Sequence, residues 1–194
     1  DEFSSDEAAD YIGGFPEHPH RGFETVTYML EGRMEHRDHM GNTGQLVPGS
    51  VQWMTAASGI IHSEMPMQEE GRMQGFQLWI NLPAADKMKA PAYQEYTPEQ
   101  IPVYKLNNGT IIKAIAGQLQ LEDHDVHGPV SEIATAPVYL DITLPTDIEI
   151  DIPVPAEHTV LTYVFEGSTV AQDGNSLQSG QLGQWAHGDR LAVR

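Results

Sequence analysis

Apolar and polar residues alternate with a period of two in short windows along this chain, and no window supports a helix of three turns with an apolar face. Residues 24–30, 75–80, 110–115 and 138–144 all carry the pattern. Successive side chains of an extended backbone point to opposite faces, so these windows read as β-strands. Turn chemistry separates them at Gly32, Gly41-Asn42, Pro48-Gly49, Asn107-Asn108-Gly109, Gly167, Asp173-Gly174-Asn175 and Gly188-Asp189. Thr97-Pro98-Glu99-Gln100 offers a capped single helical turn and no more. The chain is therefore predicted to be all-β, as a barrel or sandwich.

The pattern also repeats at long range. Tyr28-Met29-Leu30-Glu31-Gly32 returns as Tyr163-Val164-Phe165-Glu166-Gly167, and Gln52-Trp53 returns as Gln184-Trp185. Two related β-domains are the simplest source of such a repeat, and 194 residues accommodate both. A stretch rich in Pro and Tyr from Ala90 to Pro102 marks a stiff connection near residue 100. The expected division is residues 1–100 and 101–194.

Charge and composition exclude several function classes. Ten Lys and Arg against 28 Asp and Glu give a net charge of −18, which repels phosphate backbones and argues against direct nucleic-acid binding. No apolar stretch is long enough to span a membrane, and no secretory apolar segment is present. The absence of cysteine removes disulfides, zinc ribbons, thiolate nucleophiles and iron–sulfur clusters, and suits a reducing cytoplasm, the expected location. Metal chemistry in such a chain must use its nine histidines together with Asp or Glu.

Two segments supply that chemistry. In Gly14-Phe15-Pro16-Glu17-His18-Pro19-His20 the two histidines stand at i and i+2, on one face of an extended backbone. The same spacing recurs with His62 and Glu64 in Gly59-Ile60-Ile61-His62-Ser63-Glu64. If both strands face one interior, they form a site of three histidines and one carboxylate. Such a mixed N/O set suits one divalent Fe, Mn, Co, Ni, Cu or Zn ion, and four ligands on an octahedral ion leave two positions for O2 and a chelating substrate. Other polar clusters read as bland. His36 and His39 are expected in a solvated charged turn, and residues 123–127 in a solvated acidic loop. Met65, Met67, Met73, Trp53, Phe23, Phe76 and Trp79 are expected to be mostly core. Arg21 and Glu31 fit either surface ion pairs or partners of the ligands.

The run from Gly13 or Gly14 through His18-X-His20 to Glu24 and Gly32, with Gly59-X-X-His62, resembles the cupin superfamily, apart from one extra residue before Gly32 and Ala57 in place of a proline. His18-Pro-His-Arg-Gly-Phe-Glu-Thr-Val-Thr-Tyr28 and Gly59-Ile-Ile-His-Ser-Glu-Met-Pro66 resemble more narrowly the pirin family, and the likeness extends over almost the whole chain. It implies two tandem cupin-type antiparallel barrels. Iron(II) would lie in the N-terminal barrel, on His18, His20, His62 and Glu64. The general cupin pattern would use Glu24 instead, which leaves two candidates for the carboxylate, with Glu64 favoured. The repeat places the counterpart of His62 at the last residue, so the second barrel is expected to be incomplete and metal-free. The resemblance further implies quercetin 2,3-dioxygenase activity, with a flavonol and O2 as substrates, release of CO, and Glu64 as acceptor of the flavonol proton. The alternative it implies is a non-enzymatic, redox-sensing co-regulator that acts through a protein partner.

Overall fold

The alternating windows become strands in the computed structural model, which describes residues 1–194. The first nine are β1 (Glu2–Ser5), β2 (Phe15–His20), β3 (Phe23–Glu31), β4 (Met34–Asp38), β5 (Thr43–Leu46), β6 (Val51–Thr55), β7 (Ile60–Pro66), β8 (Met73–Asn81) and β9 (Ala92–Tyr96). Helix is confined to one turn at Ala8–Tyr11 and a 3-10 turn at Pro98–Gln100. At the latter the Thr97 backbone N–H donates to Gln100 Oε1 at 2.9 Å, the reciprocal half of a capping box. No helix is long and apolar enough to cross a membrane.

The chain divides into two compact units, one of Asp1–Ile101 with Pro129–Pro137, the other of Pro102–Gly128 with Val138–Arg194. In the first unit every pairing is antiparallel, and two sheets result, in the orders β1-β8-β3-β6-β9 and β2-β7-β4-β5. Side chains of β3 are buried on both faces, from Glu24 to Met29, none more than 2% exposed. Alternation along this strand therefore separates two buried faces rather than a core from solvent.

One face carries Val26 and Tyr28 beside Val51 and Trp53 of β6, all shielded from water. Gln94 and Tyr96, cross-strand from Trp53 and Val51, donate from this side to the carbonyls of Ser131 and Pro129. The opposite face looks onto the second sheet. At one end it is apolar, where Met29, Met34, Leu46 and Met73 cluster with Phe3 and Tyr11. Toward the other end it is polar, with Thr27, Gln52 and Gln77 in register. A buried polar wall is stable only if its groups find partners, since each one left unpaired costs about 1–3 kcal/mol. Those partners come from the second sheet and from β9, and they build the site.

The second unit contains β10 (Val103–Lys105), β11 (Ile111–Ala116), β12 (Gln118–Leu121), β13 (His124–His127), β14 (Tyr139–Thr143), β15 (Ile150–Pro153), β16 (Leu161–Val164), β17 (Ser168–Val170), β18 (Ser176–Gln178), β19 (Gln181–Gln184) and β20 (Arg190–Val193). Its core gathers Leu106, Ile112, Ala114, Leu121, Val126, Ile150, Ile152 and Val193. The repeat detected in sequence is visible as pairing: its first copies lie on or beside β3 and β6, its second on or beside β16 and β19, and both pairs are antiparallel. Residues 123–127 are not the solvated loop expected of them. They close the β12–β13 hairpin, where Glu122 turns the chain at φ 50° and Val126 is fully buried.

Candidate metal centre

β2 and β7 are neighbours, with His18 directly opposite His62 and an irregularity between Phe15 and His18. Their close approach begins at Gly14, whose φ is 52° and where a Cβ would meet Pro66 Cδ at 2.7 Å and the Glu64 carbonyl oxygen at 2.8 Å. Glycine alone satisfies both demands. At the far end, the Gly22 N–H donates to Ala57 O at 2.8 Å and the Ala56 N–H to Phe23 O at 3.1 Å, which ties the β2–β3 turn to the β6–β7 turn. Lys87 Nζ adds donations of 2.6 Å to Gly22 O and Asn81 Oδ1.

This frame brings three imidazoles together. His18 Nε2 lies 2.9 Å from His20 Nε2 and 3.0 Å from His62 Nε2, and the ligand atoms of the three all fall within 4.8 Å of one another. His20 and His62 are buried. His18 Nδ1 lies 2.7 Å from the Pro16 carbonyl, a contact that assigns the neutral ring's proton to Nδ1 and leaves the Nε2 lone pair facing the other two rings. A convergence of imidazole nitrogens without a carboxylate between them is the donor chemistry of a transition-metal site.

Burial holds the His20 imidazole down at about 4, with repulsion from His18 adding to it. Burial likewise holds His62 down at about 3, with His18, His20 and His36 adding and Asp38 opposing. Neutral imidazole is the form that ligates. The sign for folding follows from linkage. The unfolded chain takes up protons at these histidines near 6.5, while the folded chain resists uptake until about 4 and about 3, so stability is complete above 6.5 and falls as pH drops through that window. Asp38 and Glu95 contribute only lower down. Asp38, despite its burial, is held below its usual 3.8 by bonds from Asn42, Tyr93 and Met40. Glu95 is held below 4.5 by His36, against burial, and by Gln52. Metal-free protein is therefore expected to lose urea resistance already between about pH 6.5 and 5, above the carboxylate range. A flat urea midpoint across that interval would contradict the burial of His20 and His62 as neutral imidazoles.

Glu64 shares the face of His62 and is 1% exposed. Its Oε1 accepts from Thr27 Oγ1 at 3.0 Å and its Oε2 from Gln77 Nε2 at 2.8 Å, and it stands outside the group of three whose ligand atoms lie within 4.8 Å. Glu24 lies on the other face of β3, in phase with Val26 and Tyr28 and out of phase with Thr27, and accepts from Thr55 Oγ1 at 2.6 Å. Aromatic rings wall the histidines: Phe23 and Trp79 lie 5.0 and 5.4 Å from the His20 ring and 4.9 Å from each other. Trp79 is 57% exposed and so forms the rim.

His36 is not in a solvated turn. It is buried on β4, opposite Glu64, with Nε2 2.5 Å from Glu95 Oε1, and Gly44 leaves room for its ring. The charged neighbours Glu35 and Arg37, which pair with each other, hid an ordinary in–out alternation of Met34 and His36. His39 is exposed, and its Nδ1 accepts from the Ile61 N–H at 3.2 Å. Arg21 reaches Met88 Sδ, and Glu31 makes a 3.8 Å surface pair with Arg72, both away from the imidazoles. Of the aromatic and Met candidates, Phe23 and Trp79 belong to the site, Trp53 and Met73 to the core, and Met67 to the surface. Thr27 and Gln77, which hold Glu64, escape a sequence reading because polar residues alternating with apolar ones look like a solvent face. Their signal is the period of two, which puts Thr27 on the face of Thr25 and Gln77 on the face of Trp79.

The family model described as Pirin matches residues 1–80. A Pseudomonas aeruginosa protein whose name proposes quercetin 2,3-dioxygenase activity is 51% identical over 196 residues, covering 100% of this chain and 69% of its own length. A pirin-like protein of Caulobacter vibrioides is 49% identical over 92% of this chain and 64% of its own length. The chain thus spans between 51% and 69% of the length of the curated relatives it matches. A crystal structure of quercetin 2,3-dioxygenase from Acinetobacter baumannii superposes with a TM-score of 0.84 at 33% identity, over 93% of this chain and 63% of the other. In sequence and in fold, the chain belongs to the pirin family.

Proposed function

We propose that His18, His20, His62 and Glu64 hold one divalent metal, iron(II), and that the protein is a flavonol dioxygenase that opens the central ring of quercetin with O2 and releases CO. The supporting observation is the meeting of three Nε2 atoms, two of them on the buried His20 and His62, near a buried carboxylate. When bound, iron supplies the one-electron chemistry that O2 needs to react with a closed-shell organic substrate. The iron(II) form suits a reducing cytoplasm, the compartment to which the cysteine-free composition points.

The side chains contribute the rest. Phe23 and Trp79 offer flat apolar faces beside His20, suited to a planar polyphenol, and exclude water from one side of the histidines. Glu64, a buried carboxylate that accepts two hydrogen bonds, takes the flavonol hydroxyl proton on Oε1 or Oε2, a role that requires hydrogen-bond reach to the substrate. His36 with Glu95 lies across the strand pair from Glu64 and keeps that end of the interior polar.

Headspace CO from iron-loaded protein given quercetin under air is the direct test. CO formed in step with quercetin loss is the expected result, and bound iron with no CO would overturn the assignment.

A further inference from the structure

Resting on the proposed reading of Glu64 as a metal ligand, we infer that Gln77 is a positioning residue for that carboxylate and that Trp79 locks the Gln77 amide in its working orientation. The chain of contacts is complete. Trp79 Nε1 donates to Gln77 Oε1 at 3.0 Å, and Gln77 Nε2 donates to Glu64 Oε2 at 2.8 Å. Thr27 Oγ1 closes the other side at 3.0 Å on Oε1.

An amide can rotate half a turn at almost no steric cost, so its orientation must be set by its neighbours. The indole N–H can only donate. A rotated Gln77 would aim its NH2 group at that donor and its carbonyl oxygen at the carboxylate, two repulsive contacts at once. Gln77 and Trp79 stand at i and i+2 on β8, on the face that also presents Thr25 and Thr27 from β3. The rim aromatic and the buried carboxylate are therefore linked through one rigid strand. A side chain that packs against substrate at the mouth is also the one that fixes the Glu64 carboxylate plane.

Cobalt(II) gives a readout independent of turnover, because its visible absorption reports ligand number and geometry. Wild type, Glu64→Ala, Gln77→Leu, Trp79→Phe and the Gln77→Leu/Trp79→Phe double variant are loaded with cobalt, assayed for metal per chain and compared in absorption. In the iron form, kcat and KM for quercetin are measured in parallel. Gln77→Leu is expected to keep one metal per chain, to alter the cobalt spectrum, and to lower kcat about 10- to 100-fold with a much smaller change in KM, the scale on which outer partners of metal ligands act. Trp79→Phe, at an exposed position that retains an aromatic face, shifts the spectrum in the same sense, and the double variant is no worse than Gln77→Leu.

A Gln77→Leu spectrum identical to wild type, or effects of Gln77→Leu and Trp79→Phe that simply add, would overturn the inference. An unchanged spectrum in Glu64→Ala instead removes Glu64 from the ligand set and overturns both readings. Absence of CO from wild type, with the cobalt pattern intact, counts against the dioxygenase alone.

Discussion

His62→Ala protein is expected to bind no iron(II) at concentrations that saturate the wild type. His62 is the most buried of the three imidazoles and sits directly across the strand pair from His18. Its removal deletes a ligand, so the loss should exceed the roughly 10- to 100-fold cost of losing an outer partner. Linkage converts this into stability. Metal at 1,000 times its dissociation constant stabilises a folded site by about 4 kcal/mol, and the variant forfeits all of it. The metal-free proteins should differ far less, because the substitution also removes a buried imidazole whose Nδ1 has no protein partner. Metal content by mass spectrometry, with urea midpoints measured with and without iron(II), separates the two effects. Equal iron binding by wild type and His62→Ala would remove the trihistidine cluster as the metal site.

That cluster is legible in the sequence through its spacing. Histidines at i and i+2 need only an extended backbone to share a face, so His18 and His20 could be paired before any tertiary structure was known. The strands were legible for a similar reason: the window 24–30 became Phe23–Glu31 and 75–80 became Met73–Asn81. What stayed hidden was which side of each strand was wet. In β3 neither side is, and Thr25 and Thr27 line an interior instead of meeting water. The same reversal hid Gln77 and placed His36 outside the interior it occupies. Partnership between distant strands is a second blind spot. The Glu95 side chain, 39% exposed, meets His36 across a sequence gap that no local pattern reports.

Glu64→Gln and Glu24→Ala together decide which carboxylate serves the metal. Two independent features of the fold favour Glu64: it shares a strand face with His62, and it alternates out of phase with none of the imidazoles it must join. Glu24 fails the second condition, since Thr27, three residues on, faces Glu64 while Glu24 accepts from Thr55 on the reverse side. Glu64→Gln keeps the shape but replaces a charged acceptor by an amide that can turn an NH2 toward the Gln77 NH2, and it removes the base for the flavonol proton. Quercetin turnover should fall by about 10²- to 10⁴-fold, the usual contribution of a positioned general base, and metal affinity should fall with it. Glu24→Ala should leave one metal per chain and turnover within a few-fold of wild type, because only the contact with Thr55 is lost. Parallel metal titrations and quercetin assays of the two variants settle the assignment. Metal lost from Glu24→Ala and kept by Glu64→Gln would transfer the ligand role to Glu24, and would require β3 to present the opposite face to the histidines.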